Sequence, residues 1–213
     1  MCSGRVDLAF LLRAFAKGVD GVFIGGCRLK ECNYITHGNF HALSTVLLFR
    51  KIMVRIGLNP ERLRIQFLSS GEGILLTEVI NDFCRSIRGI GPLGKSEGLA
   101  PETLALKLAA LTQMVPYLKL VERERLRLPI LLPEEEYHRF YASAEVERLF
   151  EELVVDKLAV SEIMLLLRES PLSTGEIARR LGLNPSEVSR HLASSSRHGL
   201  VRYDAGCKRF ALA

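Results

Sequence analysis

The sequence predicts an α/β domain with an incomplete parallel sheet, then a helical linker, then an α+β winged helix-turn-helix. Three observations carry that prediction. Over residues 1–92, short apolar runs alternate with helical periodicity. The segment GIGPLGKSEGLA (89–100), with four glycines and a proline among polar residues, has the composition of a linker. Near the C-terminus, two helix-start signals lie close together with one glycine between them.

In chain order, Val6, Phe10, Leu11, Ala14 and Phe15 fall at helical spacing over 6–17, and Gly18 stands where a C-terminal cap would. DGVFIGG (20–26) reads as a short buried strand, and NFHALSTVLLFRKIMVRIGL (39–58) as a long helix closed by Gly57. RLRIQFLSS (62–70) is a second strand and GEGILLTEVINDFCRSI (71–87) another helix. Strands alternating with helices imply parallel strands joined by helical crossovers, a flavodoxin-like or Rossmann-like sheet. Two strands are too few for such a sheet, so the domain expects completion by another chain or by a further segment.

The middle region, 93–153, reads as helical. Pro101 suits a first helical position, the amphipathic pattern runs to Pro116, and LPEEEYHRFYASAEVERLFEEL (132–153) forms an acidic helical stretch. The run Glu122, Arg123, Glu124, Arg125 reads as a solvated face. Residues 154–213 form the third unit. An apolar helix over 154–170 precedes Ser173 and Glu176 at capping-box spacing, and Gly182 makes a turn. Asn184 then caps a helix with Pro185 at its first position, and Ile177, Leu181, Leu183, Val188 and Leu192 supply a small core. LVRYDAGCKRFALA (200–213) makes two strands about a turn at 204–206, which completes a winged helix-turn-helix.

Composition narrows the class. The 213 residues are 48% hydrophobic and 25% charged, which favours a globular protein over a disordered one. Residues 1–94 carry 12 basic and 7 acidic side chains, 95–153 carry 8 and 11, and 154–213 carry 9 and 6, so basic ends flank an acidic middle. Five cysteines, an odd number spread through apolar segments, fit reduced thiols in a cytoplasm better than disulfides. Neither a secretory pattern nor an apolar run of about 18 residues is found, which argues against export and against a membrane partner.

Cys27 follows the first strand, at the end of a parallel sheet where loops splay and ligands bind, and Cys32 comes four intervening residues later. Two thiolates so spaced can grip one metal or one edge of a cluster, with Gly25 and Gly26 allowing close backbone approach. Cys2 opens CSGRVD, where Ser3 can donate to a thiolate and Gly4 can take positive φ. Cys2, Cys27 and Cys32 are the candidate metal ligands. Cys84 lies on the stripe of Ile80, Phe83 and Ile87 and reads as a packed thiol, and Cys207 falls in the wing.

These residues carry a resemblance. CSGRVD, DGVFIGGCRLKECNY, HGN and LNPERLRIQFLSSGEG together resemble the delta (iron-sulfur) subunit of methyl-viologen-reducing hydrogenase, over about residues 1–92. The resemblance implies a 2Fe-2S cluster on Cys2, Cys27 and Cys32. It also implies electron transfer between a hydrogenase or formate dehydrogenase module and a heterodisulfide reductase-like flavoprotein, similar to the A-type component of such complexes. Arg28 and Asn33 stand where the family commonly has histidine, which implies a different cluster potential. The family commonly has a further strand and helix upstream, so the fourth ligand is expected from a segment before Met1 or from another chain. Such a segment is expected where a start is internal, for instance after an in-frame stop codon that is read through.

Elsewhere the motifs are weaker. SSGEG (69–73) fits a capping turn built on Ser69 and Glu72 as well as a phosphate loop; His37 and His41 flank GN near the cysteines and could hydrogen-bond or ligate, but a surface or capping role fits them better. Paired carboxylates, a nucleophile elbow and zinc-type histidine spacing are lacking, so an autonomous catalytic site is not expected. Ser186, Ser189, Arg190, Ser194 and Arg197 share the outward face of the second winged-helix helix, suited to phosphates and guanine edges. That makes a redox-responsive DNA-binding regulator the alternative to an electron-transfer role. The unit's net charge of +3 is too small for strong binding by a monomer.

Overall fold

A computed structural model describes residues 2–35 and 37–213. Its first half is an α/β unit. A 3-10 turn at Ser3–Arg5 leads into α1 (Leu8–Ala16), capped by the Asp7 carboxylate, which accepts from the Phe10 N–H. Then come β1 (Val22–Cys27), α2 (Asn39–Ile56), β2 (Leu63–Leu68) and α3 (Gly73–Ile90). The two strands pair in parallel, Val22 opposite Leu63 through Cys27 opposite Leu68. Among the described residues this sheet has only these two strands, as the periodicity predicts.

Successive strand residues face opposite sides of a sheet. Ile24 enters the main core with α1 and α2, whereas Phe23 meets Phe83 of α3 with ring centroids 5.7 Å apart. Phe83 is the one buried residue of α3, and Ile74, Leu75, Leu76 and Ile80 are exposed. Cys84 is therefore not a packed thiol: it is exposed, because nothing covers the outer side of this helix among the described residues. Phe10 is likewise 54% exposed, since α1 turns Leu8, Leu11, Leu12 and Phe15 inward instead.

The linker-like segment is pinned. Arg62, fully buried, places its guanidinium on both carboxylate oxygens of Glu97 at 2.6 and 3.0 Å and on the carbonyls of Asp20, Gly91 and Pro92. Burial works against the Glu97 carboxylate, but Arg62 and the backbone N–H groups of Asn59 and Gly94 outweigh it and hold its pKa below the usual range.

The middle helices do not merely connect. α4 (Pro101–Arg125) continues as one helix past Pro116 and packs against α1, α2 and α7. By length and composition α4 could cross a membrane, but its apolar residues Leu111, Leu118 and Val121 lie in the same core as α1 and α2. α5 (Glu134–Tyr141) and α6 (Ala144–Phe150) follow, and a π-helical turn at Glu151–Val155 joins α6 to α7 (Asp156–Glu169). Glu122 departs from the solvated-face expectation. It is buried and accepts from the Thr45 hydroxyl at 2.6 Å, because α4 presents this position to α2 while Arg123 and Glu124 stay in solvent.

The last unit is a winged helix. α8 (Thr174–Leu181) and α9 (Pro185–Arg197) flank Gly182, whose φ of 65° is the left-handed cap such a turn needs. Ser173 and Glu176 form the reciprocal capping box. β3 (Val201–Asp204) and β4 (Arg209–Leu212) pair antiparallel, and the Asp204 carboxylate closes their turn by accepting from Gly206 and Cys207 N–H. Ile177, Val188 and Leu192 are fully buried, with Leu181 and Leu183 packed against them.

Candidate functional site

The carboxyl end of β1, the start of α2 and the N-terminal 3-10 turn meet at the cysteines. Cys27 is the last residue of β1 rather than the first after it. Asn39, fully buried at the start of α2, donates to the carbonyls of Cys27 and Arg28 at 2.9 and 2.6 Å, and lies 3.8 Å from the Cys27 sulfur. That fixes how the strand end approaches the helix. Cys2 Sγ lies 3.6 Å from Cys32 Sγ and accepts from the Gly4 N–H at 3.4 Å.

Glycines make this approach possible. A Cβ on Gly4 would lie 1.9 Å from the His37 carbonyl oxygen, so Gly4 is needed for close approach rather than for positive φ. A Cβ on Gly38 would lie 2.3 Å from the Cys32 sulfur, and one on Gly26 would lie 2.9 Å from Ser3 Oγ. Three backbone segments are thus in contact around the thiols.

The thiols differ in character. Cys27 is exposed at the strand end, yet partial desolvation raises its pKa, and neighbouring Cys32 and Cys2 raise it further. Burial also works against the Cys32 thiolate, but N–H groups of Tyr34 and Asn39 and the other two thiols outweigh it, so its pKa falls. Two buried polar atoms beside the thiols, Ser3 Oγ and Asn39 Oδ1, have no hydrogen-bond partner among the described residues. Cys32 is buried and Cys2 half-buried, whereas Cys27, Cys84 on α3 and Cys207 in the wing are exposed.

No three His, Cys, Asp or Glu side chains among the described residues are arranged to hold a metal ion. The donor set nevertheless suits a thiophilic metal. Two sulfurs about 2.3 Å from one tetrahedral centre stand about 3.7 Å apart, close to the separation of Cys2 and Cys32. Of the positions flanking the cysteines, Arg28 is ion-paired with Glu72 and Asn33 is exposed. Glu72 also accepts from the Ser69 N–H at 2.6 Å and closes the SSGEG turn, but the capping box expected of Ser69 and Glu72 is only half made, because α3 starts at Gly73 with no side-chain cap. His37 and His41 line a cleft beside Cys2.

The outward face of α9 is only partly free. Ser186, Ser189 and Arg197 are exposed, and Ser194 is half-buried. Arg190 is drawn back to Asp156 of α7 at 3.1 Å. The same Asp156 oxygen lies 3.7 Å from Nε2 of buried His191, and Glu187 lies 3.8 Å from that nitrogen. Asp156 as a tether for Arg190 has no signal in sequence spacing, because the two residues are 34 apart on different helices.

An α/β module with clustered thiols joined to a winged helix defines a class of two-part proteins, with a thiol site at one end and a helix-turn-helix at the other. Residues 1–91 match the family model described as methyl-viologen-reducing hydrogenase, delta subunit, and residues 159–203 match bacterial regulatory protein, arsR family. Through its first 91 residues the chain belongs to the methyl-viologen-reducing hydrogenase delta-subunit family. It is 42% identical over 91 residues to the iron-sulfur subunit of the F420-non-reducing hydrogenase of Archaeoglobus profundus, covering 43% of this chain and 66% of that one. The vhu iron-sulfur subunit of the F420-non-reducing hydrogenase of Methanopyrus kandleri is 34% identical over 92 residues, 43% of this chain and 69% of that one. One component of the ferredoxin/F(420)H(2)-dependent CoB-CoM heterodisulfide reductase of Methanosarcina acetivorans is 44% identical over 94 residues, 44% of this chain but 12% of that component.

Proposed function

We propose that the chain is an iron-sulfur electron-transfer subunit of the cytoplasm. In this reading it passes electrons between a hydrogenase or formate dehydrogenase module and a heterodisulfide reductase-like flavoprotein. Cys2, Cys27 and Cys32 would hold a 2Fe-2S cluster, with a fourth ligand from a residue other than these. Bound there, the cluster would accept and release one electron at a time; Asn39 would hold the Cys27 strand end against α2. The observation that carries the reading is the contact between Cys2 and Cys32 sulfurs across 30 residues of chain, beside the end of β1. The exposed apolar residues of α3 support a partner on that side.

The test is reconstitution of the full chain with iron and sulfide under anaerobic conditions, with a small thiol in the buffer to complete the ligation. Thiolate-to-iron charge-transfer absorption and bound sulfide are expected. Both should be lost in Cys27→Ser and Cys32→Ser and kept in Cys84→Ser and Cys207→Ser. Equal iron and sulfide in the two loop variants would overturn the assignment.

A redox-responsive DNA-binding regulator is the second reading, favoured by the arsR-family match over α7 to β3 and by exposed Arg197 on α9. The Arg190–Asp156 contact weighs against it, because it removes one cation from the face that would meet phosphate. Sequence-specific protection of a promoter that changes with the oxidation state of the thiols would reverse the order of the two readings.

A further inference from the structure

A cleft of about 1300 Å³ opens between the N-terminal 3-10 turn with α1 on one side and the C-terminal half of α4 with its following segment on the other. The two walls have different origins. Cys2, Arg5 and Phe10 lie within the family-matched segment, whereas Leu120, Arg123 and Arg127 lie beyond it, so α4 adds a second wall to a surface that residues 1–91 alone would leave open.

The lining is apolar with a positive rim. Phe10 and Leu120, 54% and 48% exposed, present apolar surface from the two facing walls of the same cleft. Arg5 and Arg127 are exposed, and their side chains make no hydrogen bond or ion pair among the described residues. Arg123 has only its exposed neighbour Glu124. Deeper in the cleft Asp7 pairs with Lys119, while Glu122 is buried, accepts from the Thr45 hydroxyl and has its pKa raised by burial, which disfavours its charged form. The unmatched charge at the mouth is therefore positive. The volume exceeds the roughly 300–1,000 Å³ of a small-molecule pocket, which favours a length of polypeptide.

We propose that this cleft is a docking groove for an acidic segment of a partner protein that carries apolar anchor residues. The anchors seat against Phe10 and Leu120, and the carboxylates meet Arg5, Arg123 and Arg127. Exposed charges of this kind steer encounter and set specificity, while the buried apolar contacts supply most of the affinity. The groove does not depend on a cluster, although Cys2 in its wall places the bound segment beside the thiols.

Binding of the full chain to a fluorescent glutamate–tyrosine copolymer, with polyglutamate as control, tests the proposal. The copolymer should bind more tightly than polyglutamate, and its affinity should fall as salt rises. The double variant R5E/R127E should lose about tenfold or more in affinity, Phe10→Ser should remove the copolymer's advantage over polyglutamate, and Arg197→Glu in the winged helix should change neither. No binding, or equal losses in Arg197→Glu and the double variant, would overturn the proposal. So would self-association of the chain abolished by the double variant, which would make the occupant a second copy, or equal competition by duplex DNA of matched charge, which would make the cleft a generic polyanion surface.

Discussion

The winged helix and the cysteine module differ in how much of their defining geometry is local. In the winged helix the caps and the wing turn are local, Ser173 with Glu176, Asn184 with Ser186, and Asp204 with Gly206, and Arg209 with Glu176 and Leu172 with Phe210 then tie the wing back to the helices. The cysteine module depends on contacts between distant residues. Cys2 meets Cys32, Arg62 meets Glu97, Asp7 meets Lys119 and Thr45 meets Glu122, the last across 77 positions. The helix-turn-helix is thus a motif that a short sequence can specify, whereas the thiol site is an assembly that exists only when three segments arrive together. Perturbing a long-range contact should cost the module its site, and perturbing a local one should cost the winged helix only a fraction of its stability.

The largest expected effect comes from Gly4→Ala. Its methyl group would overlap the His37 carbonyl, so the 3-10 turn that carries Cys2 must move away from Cys32. Iron and sulfide retained after anaerobic reconstitution should fall close to zero, while duplex DNA binding by the same protein stays at its wild-type value. Parallel loss of both would show that the two regions are not separable.

Next in size is Arg62→Ala. Removing the guanidinium leaves Glu97 and three carbonyls without their buried donor, and breaking such a pair costs about 3–5 kcal/mol. Urea unfolding followed by far-ultraviolet circular dichroism should show that loss. The same pair sets a pH dependence. The folded-state pKa of Glu97 is depressed, so its stabilisation is present above the unfolded value and drains away as pH falls through the usual carboxylate range and below. An Arg62→Ala protein should show a shallower acid limb than the wild type; an identical limb would mean that other carboxylates dominate.

Smaller still is Ser173→Ala, which removes one half of the capping box and should cost about 1 kcal/mol, read as hydrogen exchange in α8 and α9. Unchanged protection there would show that the cap is dispensable in this context. The smallest expected effect is that of Asp156→Asn. Freeing Arg190 from a partly exposed ion pair should raise affinity for random duplex DNA about two- to fivefold. A decrease would show instead that Asp156 holds α9 in the shape that binds.

Much of this architecture is legible because it is written in neighbouring residues. Gly57 and Gly182 close their helices with positive φ where the apolar periodicity stops, and the parallel pairing of β1 with β2 follows from the intervening helix. The misreadings share a cause. Glu122 sits in an alternating charge run and Cys84 on an apolar stripe, but burial depends on which helix arrives opposite, and that partner lies far away in the chain. The segment 89–100 has the composition of a flexible connector, yet Glu97 on it is held by the buried Arg62.

By itself the sequence determined the order and type of the elements, the caps of the winged helix and the three candidate ligand cysteines, because these depend on spacing, turn chemistry and the affinity of thiolates for metal. Only the tertiary structure decided that α4 joins the N-terminal core and walls a cleft at Cys2, that Arg190 is tied back to α7, and that no described residue covers the outer face of α3. Those outcomes depend on which surfaces exclude water together, and apolar burial is non-directional, so no local pattern of residues encodes its partner.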